Sequence, residues 1–525
     1  MIASKNRSSL RVSKFGVWFA ILSSACSPAN CWPGDGFRVL PYLQNPAEDA
    51  ITIKWFSETG IPGRVSVSGD HEIAVLDSEP ELASSLSYNA LQPEPDAPHP
   101  ALPFAHRVRV EGLRSGTSYR YRVSQGAETH ASTFRTAPAS NQVIRLIAYS
   151  DSETEPESST MPPVGWSAST GSNRPDNVSR YLENQTAGYR ANLEIVSGRN
   201  PDLILIAGDL VETGGEQRDW DEFWRHNAGS YGSIASRIPV VAAIGNHENF
   251  AGPGGGYSAE GANFATNKFL TYFESSANNA SDPKHQGRYH RLDYGPASII
   301  TLDSSDGLPH QTASDTNHNL AGSHAPDFNP GSQQYQWFES QLADAQAKSK
   351  FTIVQFHHTM NGSGPHSVPF GHESFSGQSG IAMQVLLPLM HRFGVDVVLS
   401  GHNEMFERSE VPGFETLPNG STRDRRIQCF DVGVGGDGLR EPSPVAVNPF
   451  RKFIAHHDEP EVWTDGRLQS GGMHYGHLEM NIAQDDSGCW ELEMLPVHSF
   501  PITGDGAKVV SWERRVYSDR VVITE

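Results

Sequence analysis

Five segments of the chain end in side chains of the kinds that bind metal ions. Asp151 follows the apolar run VIRLIAYS, and Asp209 follows LILIAG. Asn246-His247-Glu248 follows PVVAAIG, His357-His358 follows FTIVQF, and His402-Asn403-Glu404 follows VDVVLSG. Carboxylates, imidazoles and an amide oxygen suit divalent cations, and one carboxylate can bridge two cations about 3.5–4 Å apart while leaving positions for water and substrate. Asp209 is the natural bridge, Asp151 a terminal carboxylate, Asn246 an amide ligand, and His357 and His402 imidazole ligands. Singly, each has a plainer reading. A Gly-Asp after a strand is commonly a turn or helix cap, and a His pair is commonly one packed and one hydrogen-bonded ring. Five such endings in one chain imply a single shared metal site, whose chemistry is hydrolysis by metal-activated water.

The elements that must position these residues follow from the same runs. Short apolar runs bounded by polar clusters read as buried strands of a mostly parallel sheet, whose carboxyl ends collect the chemistry. From about residue 141 such strands alternate with helical patterns, notably Val178–Gly198 and Ser332–Lys348, so residues 141–500 read as an α/β catalytic domain. Late strands are expected at Cys429–Val434, Tyr475–Ile482 and Cys489–Leu495, with residues 501–525 as a C-terminal extension. Ser152–Asp176, polar and directly after Asp151, reads as a loop over the site. Residues 36–137 differ. FRVLPYLQ, AITIKWFSE, GRVSVSG, HRVRVEGL, TSYRYRVSQ and STFRTAP alternate apolar and polar side chains, the pattern of a β-sandwich with one solvated face.

Composition narrows the class. A hydrophobic content of 37% and 525 residues fit a globular chain with more than one domain. No apolar run approaches the roughly 20 residues of a membrane span. Lys5, Arg7, Arg11 and Lys14 precede the apolar stretch FGVWFAILSSA, so residues 1–25 read as a signal peptide and the protein as exported, periplasmic or extracellular. Cys26 after Ser24-Ala25 also resembles a lipoprotein cleavage site, which would add a lipid anchor. The formal charge of -21 opposes a nucleic-acid-binding surface. It does not oppose an anionic small substrate, because bound cations set the local charge. Cys429 and Cys489 are open to two readings, a disulfide or two thiols.

The order Asp151, Gly208-Asp209, Gly245-Asn246-His247-Glu248, His357, Gly401-His402 resembles the calcineurin-like metallophosphoesterase superfamily, and within it the purple acid phosphatases. RYHRLDYGPASIITLDS, GSQQYQWFESQL and MHYGHLEM are similar to that group's scaffold segments, and the GLxxGTxYRYRV pattern at Gly112–Val123 is typical of fibronectin-III-like modules. The resemblance implies a calcineurin-like four-layer β-sandwich flanked by helices, preceded by a fibronectin-III-like sandwich. Three positions depart from the family. Glu212 stands where a Tyr ligates ferric iron, Glu404 where the second His of GHxH stands, and Glu153 where the usual first-strand motif has glycine. All three are candidate ligands, and without the Tyr no charge-transfer colour is expected. Their oxygens favour Mn, Fe or Mg over Zn.

The resemblance also implies roles. His247 would neutralise charge on the phosphoryl oxygens, and His366 would protonate the leaving group, with His358 as the alternative acid. Glu248 would orient His247. Arg174 and Arg190 are open between phosphate contact and plain surface. The implied function is an exported phosphoesterase with two metal ions, cleaving P–O bonds of small phosphate esters, phosphomonoesters by default, through metal-activated hydroxide. The extra carboxylates shift weight toward phosphodiesters or phosphotriesters. A nucleotide- or pyrophosphate-processing enzyme would use Trp166, Trp220 or Trp224 for base stacking. A non-catalytic metal-binding or adhesion module is the reading from another class.

Overall fold

The computed structural model describes residues 36–88, 100–159, 167–179, 184–253, 255–305, 311–320, 325–436 and 438–525. The signal segment, Cys26, Cys31 and Trp166 lie outside these residues. No helix among the described residues is long and apolar enough to cross a membrane.

Residues 37–135 form two four-stranded antiparallel sheets. Their facing side chains, among them Trp55, Val65, Val67, Tyr121 and Phe134, make one apolar core. Alternation is clean in Ser118–Gln125, where every second residue is buried and the Arg side chains between face solvent. This module abuts the next one through polar anchors. Tyr42 Oη donates to Tyr272 O at 2.7 Å, and Tyr121 Oη to Ser236 O at 2.6 Å.

The catalytic-type domain is built on two seven-stranded sheets. One runs Val240–Ala242, Leu203–Ile206, Ile144–Tyr149, Gly476–Gln484, Trp490–Thr503 and Val509–Val516, with Val521–Thr524 also paired to Trp490–Thr503. The other runs His290–Tyr294, Ala297–Thr301, Phe351–His358, Val397–Gly401, Thr422–Val432, Phe406–Thr416 and Arg451–Ile454. Within each sheet the strands that carry the candidate ligands run parallel to one another, so their carboxyl ends open on one edge. Why these runs are continuously apolar is visible in Leu203–Ile206. Leu203 and Leu205 pack into the layer between the sheets with Ile353 and Leu399, while Ile204 and Ile206 pack outward against Tyr189, Trp220 and Trp224. On the far side, Val354, Phe356 and Val398 pack against Phe338 and Leu342. Helix, sheet, sheet, helix is the four-layer order expected from the sequence.

Three details differ from the sequence expectation, and the cysteines decide between two open readings. The first helix begins at Gln185, capped by Asn184, rather than at Val178. Residues 501–525 supply edge strands of the first sheet rather than an appendage. Cys429 is buried, Cys489 exposed, and both are free thiols. Trp220 and Trp224 are core side chains with 0% and 1% exposure, so neither is available to stack on a base.

Candidate metal centre

The centre lies where the strand ends converge. Five of its non-glycine residues have left-handed backbones: Asp151 (φ 56), Glu153 (φ 33), Asp209 (φ 51), His402 (φ 77) and Glu404 (φ 54). Such conformations cost about 1 kcal/mol or more each and persist only where surrounding bonds fix them. Here the loops are laced together. Asp151 N donates to Gly208 O at 3.2 Å, Ser152 N to Asp209 O at 3.0 Å, and His402 N to Asp151 Oδ1 at 2.9 Å. The motif glycines are steric requirements. A Cβ on Gly245 would lie 2.0 Å from Asp209 Oδ1, and one on Gly401 2.0 Å from Asp151 Oδ2.

Donor atoms converge on His357. Its Nε2 lies 2.8 Å from Asp209 Oδ2, 2.9 Å from Asn246 Oδ1 and 3.1 Å from His402 Nδ1. Its Nδ1 faces Ala207 O at 3.0 Å and donates there; burial disfavours the charged ring, but Asp209 and Asp151 outweigh it and raise His357 to about 9, so Nε2 holds a proton that a bound cation would replace. A ring nitrogen has one proton or one lone pair, so it can satisfy only one of three such neighbours. Ligand atoms of Asp209, His357 and His402 lie within 4.8 Å of one another, as do those of Asp151, Glu153 and Asp209, all buried. His402 Nε2 and His358 Nε2 are buried without a hydrogen-bond partner. Crowded buried carboxylates with orphaned imidazole nitrogens are costly unless a cation resolves them. The donor set therefore fits two hard or borderline cations.

The electrostatics agree. Burial raises Asp151 to about 6, opposed by His357 and reinforced by Asp209. Burial would raise Asp209 too, but His357 and His247 hold it well below the usual carboxylate range. Burial and neighbouring imidazoles push His358 and His402 well below the usual value, so both rings are neutral. His247 is carried above it, to about 9, because Asp209 and Glu212 outweigh its burial.

The other expected residues fall as follows. Glu212 and His247 group with Glu153 at the mouth, His247 Nε2 being 3.8 Å from Glu153 Oε1. His247 N donates to Asp209 Oδ1 at 2.9 Å, and its Nδ1 meets Glu212 O. Glu248 does not orient the His247 ring. Its carboxylate accepts from Gly245 N, Asp209 N and Leu210 N and so pins the Asp209 loop. His358 Nδ1 faces Ser304 Oγ at 3.0 Å. His366 packs on His402 with ring centroids 4.1 Å apart, and its Nδ1 lies 2.9 Å from Ser376 Oγ. Glu404 belongs to none of the ligand groups among the described residues; it forms an ion pair with Arg440. Arg174 is bound to Glu461 at 2.7 Å, and Arg190 lies over the Tyr231 ring, so neither is directed at phosphate.

Three residues escaped the sequence reading. Tyr257 Oη accepts from Asn246 Nδ2 at 3.4 Å and from Gln378 Nε2 at 3.2 Å. Asn403 accepts from His366 N at 3.0 Å and donates to Asp431 Oδ2 and Ser367 Oγ at 3.1 Å, bracketing the 362–367 loop. Arg440 is the third. The glycine run at 433–438 after a strand was the available signal for it.

Comparison with known proteins places the chain in a class. Residues 182–403 match the family described as calcineurin-like phosphoesterase. It is 26% identical over 313 residues to an uncharacterized protein of Mycobacterium tuberculosis, covering 58% of this chain and 50% of that one. The chain thus spans about half the length of the first curated relatives it matches. Purple acid phosphatase 21 of Arabidopsis thaliana is 22% identical over 390 residues, covering 73% of this chain and 70% of its own. Among solved structures, a purple acid phosphatase from yellow lupin (Lupinus luteus) seeds superposes with a TM-score of 0.60 at 18% identity, covering 92% of this chain and 74% of that one. That likeness is one of fold.

Proposed function

We propose that this protein is an exported two-metal phosphoesterase that hydrolyses P–O bonds of small phosphate esters, with phosphomonoesters as its main substrates. The observation that carries this reading is the convergence of Asp209, Asn246 and His402 on one nitrogen of His357, beside the buried Asp151 and Glu153. These residues would hold two ions of Mn, Fe or Zn, which polarise a phosphoryl oxygen and acidify a water. Asp209, a member of two of the three ligand groups, would be the carboxylate shared between the ions. His402 and His358 are buried and neutral, and His402 Nδ1 faces His357 Nε2 at 3.1 Å. His247 is fixed through Nδ1 by the Glu212 carbonyl, and its ring is 22% exposed. Its Nε2 therefore meets the ester oxygens and neutralises charge as it spreads over them. Export rests on the basic and then apolar N-terminus.

Glu404 was the main cause for favouring diesters, and its charge is offset by Arg440. One observation keeps the phosphodiester reading alive. The buried Glu153 and the half-buried Glu212 stand beside His247, where they repel a dianion more than a monoanion. The test is hydrolysis of aryl phosphate mono-, di- and triesters by Mn²⁺-reconstituted protein, with Asp209→Ala as control. Cleavage of one class with a dead variant supports the reading. Two bound metals with no cleavage of any class would overturn it.

A further inference from the structure

We propose that Arg440 binds the substrate's phosphoryl oxygens and that Glu404 is its anchor rather than a metal ligand. This deepens the phosphoesterase reading and rests on it.

The geometry begins at the glycine-rich segment after the strand Thr422–Val432. Gly435 N donates to Ser150 O at 2.8 Å, Gly436 N to Asp151 O at 3.0 Å, and Arg440 N to Glu404 O at 3.0 Å. The segment is thus tied to two of the ligand-bearing loops, and Gly433 leaves no room for a side chain, since a Cβ would meet Asp151 Oδ2 at 2.9 Å. The backbone bond between Arg440 and Glu404 brings their side chains together as an ion pair through Nε. Arg440 Nη1 also lies 3.1 Å from His366 Nε2. A guanidinium has only donors, so it must donate to that lone pair. Two contacts, Nε to carboxylate and Nη1 to imidazole, fix the plane of the group.

Burial divides the pair. The Glu404 side chain is 5% exposed and the Arg440 side chain 44%, so the anion is inside and the cation reaches the opening. A pair on open surface contributes little. This pair stands against His366, whose ring lies on His402, and so borders the metal centre. Asp151, Glu153, Asp209 and Glu212 crowd that centre with negative charge. A permanently charged planar fork is the group best suited to draw a phosphate into it. Glu404 occupies a left-handed backbone position (φ 54), consistent with a side chain redirected from the metals to Arg440.

The experiment compares wild type, Arg440→Ala, Glu404→Gln and the double variant, all reconstituted with Mn²⁺. Metal per chain is counted by elemental mass spectrometry, inorganic phosphate binding is measured by calorimetry, and folding is followed by thermal unfolding. Both single variants should keep the wild-type metal count and melting midpoint. Arg440→Ala should weaken phosphate binding about tenfold to a hundredfold, the loss of a charge-assisted contact. Glu404→Gln should weaken it in the same direction, and the double variant no more than Arg440→Ala, because the two act as one unit. KM for a monoester should rise more than kcat falls. A Glu404→Gln protein that loses a metal would make Glu404 a ligand and overturn the anchor role. Wild-type phosphate affinity in Arg440→Ala would overturn the phosphate role. If wild type itself takes up no metal, the phosphoesterase reading fails first and this inference with it, an outcome visible before any variant is made.

Discussion

Replacing Glu248 by Gln tests how the centre is held together. The Glu248 carboxylate is fully buried and accepts three backbone amides: Gly245 N at 2.8 Å and Asp209 N at 3.0 Å on Oε2, and Leu210 N at 2.8 Å on Oε1. Gln has the same shape but one oxygen. With that oxygen in the Oε2 position, two amides stay bonded and the new NH₂ meets Leu210 N–H, donor against donor. The opposite flip loses two bonds. The better flip forfeits one bond to a charged acceptor, about 1.5–3 kcal/mol, and weakens the two that remain. Against this, burial and Asp209 push Glu248 up to about 7, so the neutral side chain relieves some repulsion. That relief is about 3 kcal/mol at pH 8, so the metal-free protein should change by only about 1 kcal/mol, and the full loss appears once bound cations cancel the repulsion. Metal affinity should fall with it, roughly tenfold to a hundredfold, because Asp209 loses the support of its own amide. Urea unfolding followed by tryptophan fluorescence and a calorimetric Mn²⁺ titration read the two effects. A stability change below about 0.5 kcal/mol together with wild-type metal affinity would refute the argument that Glu248 organises this loop.

Other expectations follow from the same structure. Asp209→Asn should lose most metal binding while remaining folded, since it removes the shared carboxylate of both ligand groups; retention of two metals per chain would contradict the bridging role. Glu479 is buried, but Arg199 and Arg514 hold it down at about 2 against the effect of burial. A depressed carboxylate contributes stability above its unfolded value near 4.5 that is lost as pH falls toward 2. Glu479→Gln should therefore cost roughly 2–3 kcal/mol at pH 6, discounted for partly exposed arginines, with the gap to wild type closing between about pH 4.5 and 2. A pH-independent gap would sink that assignment. Thiol labelling of the native protein should modify Cys489 and spare Cys429, and reductant should leave the melting midpoint unchanged. Trp224→Ala should cost about 3–5 kcal/mol. Its ring lies 4.3 Å from Tyr42 and 5.8 Å from Phe273, so it joins the N-terminal module to the next domain.

Much of this architecture is legible in the chain because buried parallel strands leave a plain mark. Runs such as LILI are apolar throughout, since each face packs on a different layer. The ligand residues are legible for a related reason: a polar residue ending such a run must lie at the sheet's open edge. What local pattern does not carry is direction. Glu248 sits next to His247 in sequence, and adjacency suggested that it orients that ring. On the short turn at His247–Asn249 it points back into the Asp209 loop and serves amides 39 and 38 positions away. Trp220 and Trp224 likewise read as free aromatic rings until the helix Gln217–Ala228 is placed on the sheet, which buries that face.

Gly401-His402-Asn403-Glu404 shows most clearly how residue type and folded contacts carry different information. Judged by residue type, Glu404 replaces a histidine ligand by another ligand, and the charge of the centre becomes more negative. In the folded chain each of the four residues has a different duty. Gly401 makes room for Asp151, His402 faces His357, Asn403 brackets the 362–367 loop, and Glu404 turns to Arg440. The charge added at 404 is offset by a cation 36 positions later, just past a glycine run whose own residue types do not name the partner. Residue and partner must therefore be weighed as a pair. A pair that is neutral overall leaves the pull on a phosphate dianion intact, where an unpaired Glu404 would have weakened it.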